Sequence, residues 1–178
     1  DFDNQCKAFI PLLREVCSAD LPSELGEYDL ARIILCDQIT RNAFRGQREA
    51  FAHDDLACSL VEKMVSSGFD RQCSAAELLF LAQPLVHAEI PSDGSRAKRG
   101  MALLQSNMRR FPAETSQHIF QALLSHDKHL AVLRRFARYP HRNAVLGRES
   151  TPEEEAWLAS PECPGWARSQ QPSAAGST

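Results

Sequence analysis

Two short segments, far apart in the chain, carry the side chains best suited to chemistry. Both contain the tripeptide Arg-Asn-Ala, at residues 41–43 and 142–144, with further cationic and titratable groups beside it. The planar guanidinium of arginine binds a carboxylate or a phosphate through two parallel hydrogen bonds. If the fold brings the two segments together, they predict a polar site for a small anion.

In the first segment, the spacing places an acid and a base on one face of a helix. Asp37 and Arg41 are four residues apart, as are Gln38 and Asn42, and residues at this spacing are neighbours on a helix surface. The pair could be an exposed ion pair, which stabilises a helix by only about 0.3–0.5 kcal/mol. Alternatively, Asp37 orients Arg41 toward an anion. As a third alternative, Asp37 holds an arginine of the second segment while Asn42 binds loop backbone.

The second segment combines a helix end, a turn and a helix start. Tyr139 precedes a proline, and such residues avoid the α region, so the helix before it should end there. His141, Arg142 and Asn143 then lie in a turn, and residues 151–154 match the capping box of a following helix. A helix N-terminus flanked by arginines favours an anion. The alternative is a purely structural cap, with glutamates already at the positive end.

Further polar side chains extend the candidate site. His87 and Glu89 follow the helix end or kink expected at Pro84, and His129 lies in the longest helical stretch. A single histidine beside an apolar helix is more often structural than catalytic, so no catalytic residue is assigned. The candidate ligand-binding residues are Asp37, Arg41, Asn42, His87, Glu89, Arg138, His141, Arg142, Asn143 and Arg148.

Composition excludes several classes of protein and of site. The net charge is −3 over 178 residues, with arginines concentrated at 134–148, which suits a small anion or an acidic protein partner better than nucleic acid. The six cysteines lack Cys-x-x-Cys spacing, so we expect no metal site and no disulfide framework but free thiols of a reducing compartment. Phosphate-loop and dinucleotide motifs are absent, and no cofactor is expected. No apolar run reaches the roughly 18 residues of a membrane span, although peripheral association with a membrane complex stays open.

Apolar residues recur at steps of three and four almost throughout, which predicts an all-α fold of six to eight helices in antiparallel hairpins. The expected helices lie near residues 6–17, 28–40, 54–67, 75–84, 95–110 and 113–138, with a break at 125–127 as an alternative, and a short last helix begins at 152. These helices form one domain over residues 1–160. The Pro-, Ser- and Gly-rich residues 161–178 predict an irregular tail that is disordered from about residue 168.

Three blocks of the chain resemble domain-of-unknown-function family 924. The first block is Ile33-Ile34-Leu35-Cys36-Asp37-Gln38-Ile39-Thr40-Arg41-Asn42, followed by Arg45-Gly46 and by Ala50-Phe51-Ala52-His53-Asp54. The second block includes Glu77, Phe80, Pro84, His87 and Glu89, and the third runs from Arg135 to Glu154. Together they span about residues 2–158. The resemblance implies an all-helical fold similar to tetratricopeptide proteins. It implies no activity, because the family is uncharacterised.

Some positions depart from the family pattern. Where the family pattern has an arginine, a serine and a glycine, this chain has Leu78, Ala88 and Ala137. Ile39-Thr40 replaces the Phe-Pro of the pattern. Losing an arginine and a serine from the middle block predicts a divergent member that kept the fold and changed its role.

We therefore expect a non-enzymatic scaffold that binds a protein partner, or an accessory subunit of a larger complex. Its compartment would be cytoplasmic, or organellar (plastid or mitochondrion) if the N-terminus is processed or truncated. The alternative is a small-anion-binding protein or hydrolase built from the two Arg-Asn segments. A third hypothesis makes both segments purely structural.

Overall fold

Every regular element that the structure describes is helical. The structure is a computed structural model that describes residues 1–17 and 26–170. In chain order the α-helices are α1 (Phe2–Lys7), α2 (Ile10–Val16), α3 (Glu27–Ile34), α4 (Thr40–Ala43), α5 (Asp54–Ser66), α6 (Ala75–His87), α7 (Ser95–Met108), α8 (Ala113–Phe136), α9 (Asn143–Leu146), α10 (Pro152–Ala159) and α11 (Gly165–Arg168). A π-helical turn, Leu35–Ile39, joins α3 to α4, and 3-10 turns span Arg48–Phe51, Phe69–Arg71 and Pro140–Arg142. The predicted all-α class is confirmed. No helix of this part is both long and apolar enough to cross a membrane.

Helices α6, α7 and α8 are antiparallel neighbours joined by short loops. Arg110, just after α7, donates a hydrogen bond to the carbonyl oxygen of Cys73, just before α6, at 3.0 Å. Gly100 of α7 faces α6 so closely that a Cβ there would lie 3.0 Å from the carbonyl oxygen of Ala82. A side chain at this position would push the two helices apart by a few tenths of an ångström, so Gly100 permits their close approach.

The main core lies between α3, α5, α6, α7 and α8. Met64, Leu78, Leu81, Leu104 and Ile119 are completely buried in it. Burying such a side chain stabilises the fold by about 1.5–3 kcal/mol relative to leaving it in water. This core holds α5 and α6 at fixed positions, and it therefore also fixes the positions of the polar side chains at their ends.

Several helix boundaries differ from those that the apolar periodicity predicts. The expected first helix is divided into α1 and α2, since Pro11 lies in the first turn of a helix, where a missing N–H costs nothing. Helix α6 continues past Pro84 to His87, because that last turn is buried against its neighbours. Helix α8 is unbroken through residues 125–127, since the buried stripe of Ile119, Leu130 and Leu133 continues across them.

The C-terminal residues are more ordered than their composition indicates. Cys163 and Ala167 are buried, and Trp166 stacks on His129 with the ring centroids 3.8 Å apart. The expected irregular tail therefore contains a helical turn and packs on the domain up to residue 170. Its apolar residues are too few to form a recognisable period. Residues 171–178, for which disorder is expected, lie outside the described part.

The cysteines are not all free. Cys17, at the end of α2, forms a disulfide with Cys36 of the π-helical turn, and their Cα atoms are 5.9 Å apart. The expectation of free thiols is wrong at this pair, because the packing of α2 on the π-helical turn is not visible in the spacing of the two cysteines. Cys6, Cys58, Cys73 and Cys163 are free and buried. Burial raises the pKa of Cys58 to about 12, so this thiol is inert at neutral pH.

The end of α8 provides a test of backbone strain. Ala137 has the left-handed conformation, with φ 58° and ψ 9°. That conformation costs a residue with a side chain about 1–2 kcal/mol, so Ala137→Gly should raise the free energy of unfolding by about 1 kcal/mol. The matched control is Ala131→Gly, at an exposed position inside α8, which should lower the free energy of unfolding by about 1 kcal/mol. Urea denaturation measures both, and equal losses in the two variants would contradict the account.

Candidate functional site

Asp54 connects the two Arg-Asn segments. Its carboxylate accepts a hydrogen bond from Arg41 at 2.7 Å and another from Arg142 at 3.0 Å. Both arginines are buried, with exposed fractions of 8% and 4%. Like charges repel strongly away from water, so the shared carboxylate is what allows both guanidinium groups to lie in one place. The predicted meeting of the two segments is thus present, but Asp54 rather than Asp37 holds the distant arginine.

Asp37 binds Arg41 and His87. Its Oδ1 lies 3.0 and 3.2 Å from two nitrogens of Arg41, and its two oxygens lie 2.8 and 3.0 Å from Nδ1 of His87. Gln38 also donates to this carboxylate. Burial raises the pKa of Asp37, but the charges of His87 and Arg41, together with the hydrogen bonds from His87 and Gln38, outweigh burial and hold it well below its usual range. The pair is therefore a buried network and not the exposed ion pair considered above.

The π-helical turn gives Asp37 and Arg41 their direction. The sequence predicts a regular helix here, but the N–H of Thr40 bonds to the carbonyl oxygen of Leu35, five residues back. The Thr40 hydroxyl donates to the same oxygen at 2.8 Å. One extra residue in the turn rotates α4 relative to α3, so that Asp37 reaches α6 while Arg41 reaches α5. Such turns are frequent at functional sites.

A cavity of about 70 Å³ lies beside the two arginines. The guanidinium carbons of Arg41 and Arg142 lie 5.2 and 4.4 Å from the ring centroid of Phe51, which supports both through cation–π contact. The cavity has room for a small oxyanion or about two water molecules. Its walls are formed by Arg41, Phe51, His87, His129, Tyr139, His141, Arg142, Trp166 and Gln170.

Several residues that line the cavity have a buried polar atom without a hydrogen-bond partner within residues 1–17 and 26–170. These atoms are His141 Nδ1, Arg142 Nε, Trp166 Nε1 and Gln170 Oε1. Buried polar groups are nearly always paired, and each unpaired one costs about 1–3 kcal/mol. A ligand that accepts from these nitrogens would recover part of that cost.

The buried histidines around the cavity are neutral. Burial, with a smaller effect of His87, lowers the pKa of His129 to about 3. Burial and the neighbouring Arg142 and Arg41 lower the pKa of His141 well below its usual value. In the described part of the chain, no group of three or more His, Cys, Asp or Glu residues is arranged to hold a metal ion.

Glu89 and Arg148 support the site from outside the cavity. The Glu89 carboxylate accepts two hydrogen bonds from Arg148, at 2.7 and 3.0 Å, and one from the N–H of Tyr139 at 2.6 Å. Burial raises the pKa of Glu89, but the Arg148 hydrogen bond and the charge of Arg142 outweigh it, so the pKa is lowered. This network fixes the turn that carries Arg142.

Arg138 and Asn143 belong to a separate cap network. Arg138 binds both oxygens of Glu154, at 2.6 and 2.7 Å, and Asn143 donates to Glu154 at 3.2 Å. Glu154 completes the capping box with Thr151, and the Arg138 hydrogen bond lowers the pKa of Glu154 to about 2. The structural-cap interpretation therefore holds for these residues.

Asn42 also lies away from the cavity walls. It donates to the carbonyl oxygen of Gln38 at 2.8 Å and accepts from Arg45 at 2.6 Å. Its bonds stabilise its own helix, and among the described residues it has no bond to loop backbone.

The sequence pattern did not identify the residues that complete the site. Asp54 is visible only as a residue beside a helix start and within the first family block, and nothing in the spacing says which cation it binds. Phe51 belongs to the same block. Trp166 and Gln170 fall in the segment 161–178, whose composition predicts an irregular tail.

Comparisons with known proteins place these features in context. The family model described as "Bacterial protein of unknown function (DUF924)" matches residues 1–162. A solved structure of a protein of unknown function, ATU0120 from Agrobacterium tumefaciens, is similar, with a TM-score of 0.69 and 30% identity over 88% of this chain and 85% of that chain. No curated protein matches the chain. The matched residues include both Arg-Asn segments and end before Trp166.

Neutral buried histidines predict a loss of stability in acid. The pKa of His126 is about 4 and that of His129 about 3, both below the ordinary 6.5, chiefly because of burial. As the pH falls from about 6.5 toward 4, the unfolded chain binds protons that the folded chain does not, and each histidine removes up to about 1.4 kcal/mol per pH unit. Urea denaturation at a series of pH values should therefore show steadily lower stability.

The variant His126→Leu isolates one of these titrations. Neither ring nitrogen of His126 has a partner among the described residues, so leucine removes no hydrogen bond. The slope of stability against pH should become shallower in this variant, whereas replacement of the exposed His118 by leucine serves as the control. The same slope in wild type and His126→Leu would refute a neutral, buried His126.

Proposed function

We propose that this protein, which belongs to the DUF924 family of bacterial proteins of unknown function, binds a small oxyanion in the cavity beside Arg41 and Arg142. The observation that carries this proposal is Arg142, which lines the cavity and whose buried Nε has no acceptor among the described residues. A second arginine and three histidines contribute to the same walls. Oxyanions offer the acceptors that these nitrogens lack.

The placement of the carboxylates favours an anion. Asp37 and Asp54 bind the arginines but are not among the residues that line the cavity. A ligand therefore meets the guanidinium groups, while the carboxylates orient them from behind. The sequence predicts this arrangement if Asp37 orients Arg41 toward an anion. Because the carboxylates lie behind the arginines, the repulsion between them and an anionic ligand is small.

Binding is better supported than catalysis. His87 bonds to Asp37 through Nδ1, and a carboxylate in this position orients the ring, as in a catalytic histidine held by an aspartate. None of the nine residues that line the cavity is Ser, Thr or Cys, so the hydrolase alternative has no aliphatic hydroxyl or thiol nucleophile there.

Thermal stability measures the proposed binding. Phosphate at about 100 times its Kd should raise the free energy of unfolding by about 2.7 kcal/mol, and Tm should rise by several degrees. Sodium chloride at the same ionic strength serves as the control for screening. Equal shifts with phosphate and chloride would contradict a specific site.

His141→Phe tests whether binding occurs in this cavity. Phenylalanine retains a ring that can pack against Tyr139 and Trp166, whose centroids lie 5.6 and 5.4 Å from that of His141, but it has no nitrogen to bind the anion. The variant should fold and lose most of the stabilisation by phosphate. If it responds to phosphate as the wild type does, the anion binds elsewhere.

A protein-binding scaffold is the second candidate function. Four large apolar side chains at or near α1, α2 and the start of α3 are exposed, and such side chains favour a protein contact. They are Phe2, Phe9, Leu12 and Tyr28, with exposed fractions of 61%, 45%, 39% and 43%.

Sedimentation in native extract tests this candidate. The chain should sediment as a complex heavier than its own 19.9 kDa, and the double variant Phe9→Ser with Leu12→Ser should sediment as the free chain. A strict monomer in extract would contradict this candidate. The roles of accessory subunit and organellar or plastid protein stay predictions.

A further inference from the structure

The C-terminal segment 163–170, here called the cover, closes one side of the cavity. Trp166 stacks on His129 at 3.8 Å and meets the ring of His141 edge-on at 5.4 Å. Gln170 completes the wall. Because the family model matches only residues 1–162, the cover lies outside the part of the chain that the family defines.

Separate contacts hold the cover in place. Arg45 donates to the carbonyl oxygen of Ser169 at 3.1 Å, and Arg168 donates to that of Cys163 at 2.8 Å. Ala167 is completely buried. The stacked tryptophan, buried Ala167 and the Arg45 hydrogen bond attach the cover to the domain, whereas the Arg168 bond stabilises the cover internally. None of these contacts uses Trp166 Nε1 or Gln170 Oε1.

The cover buries polar atoms that it does not satisfy. Trp166 Nε1 and Gln170 Oε1 have no partner in the part of the chain that the structure describes, and neither do Arg142 Nε and His141 Nδ1 in the same walls. The nitrogens of Arg142 and Trp166 are donors, whereas Gln170 Oε1 is an acceptor. A segment that served packing alone would gain by turning such atoms toward water.

We propose that the cover completes the anion site and that Gln170 makes it selective for hydrogen phosphate. This inference rests on the proposed function. With the Gln170 amide in the orientation it has here, a ligand that satisfies these atoms accepts from Arg142 and Trp166 and donates to Gln170. Hydrogen phosphate does both, since it carries acceptor oxygens and one P–O–H group, whereas sulfate and carboxylates have acceptors only. A cavity of about 70 Å³ has room for the free ion.

Calorimetric titration with three dianions tests the selectivity. Near pH 8, inorganic phosphate, sulfate and methyl phosphate carry about the same charge, but only inorganic phosphate retains a hydroxyl. The wild type should bind phosphate at least tenfold more tightly than the other two. In Gln170→Met this preference should fall toward one.

Trp166→Phe tests the donor of the cover. Phenylalanine keeps an aromatic ring against His129 but removes the N–H, so phosphate and sulfate should both weaken by about tenfold. Trp157→Phe is the matched control, because Trp157 is buried in the neighbouring core and does not line the cavity. It should leave both affinities unchanged.

The outcomes separate this inference from the proposed function. Equal affinity of the wild type for phosphate and either other dianion, or unchanged selectivity in Gln170→Met, overturns the role of Gln170. Unchanged affinities in Trp166→Phe overturn the role of the cover. In these cases, phosphate binding that is lost in His141→Phe still supports the anion site. A wild type that binds no phosphate overturns both proposals.

Discussion

The pairing of two buried guanidinium groups with carboxylates is the constraint on which the site depends. Removing each charge from water costs several kcal/mol, and removing one partner of such a pair typically costs about 3–5 kcal/mol. Asp54 binds both Arg41 and Arg142, while Asp37 binds Arg41 from behind. The start of α5, the π-helical turn and the turn before α9 must therefore occupy fixed relative positions. The rest of the fold provides those positions.

The helices achieve this through a rigid core and polar supports. The core sets α5 against α6, and the disulfide at Cys36 joins the π-helical turn to α2. Glu89 with Arg148, and Glu154 with Arg138, hold the two sides of the turn that carries Arg142. Much of the polar density of the second Arg-Asn segment is thus structural. This structural role does not explain a small set of buried, unpaired polar atoms in residues that line one cavity. The functional proposal rests on those atoms.

The long helices, the two capping boxes and the meeting of the Arg-Asn segments were within reach of sequence reasoning. Each depends on local spacing or on a motif whose chemistry is plain, as at Thr151. The rest depends on tertiary packing. The π-helical turn adds one residue without disturbing the apolar pattern, so it leaves no periodic signal. Asp54 is one of many acids until the fold brings it to Arg142. Trp166 is a single aromatic residue in a polar, proline-containing stretch, and its order comes from stacking on His129.

The most direct test of the central claim is a crystal structure grown with phosphate and without sulfate. The account predicts tetrahedral density in the cavity, with oxygens at hydrogen-bond distance from Arg142 Nε and Trp166 Nε1 and one oxygen near the amide of Gln170. Ordered water molecules that alone fill the cavity and satisfy those atoms, at a phosphate concentration that saturates any binding in solution, would contradict it.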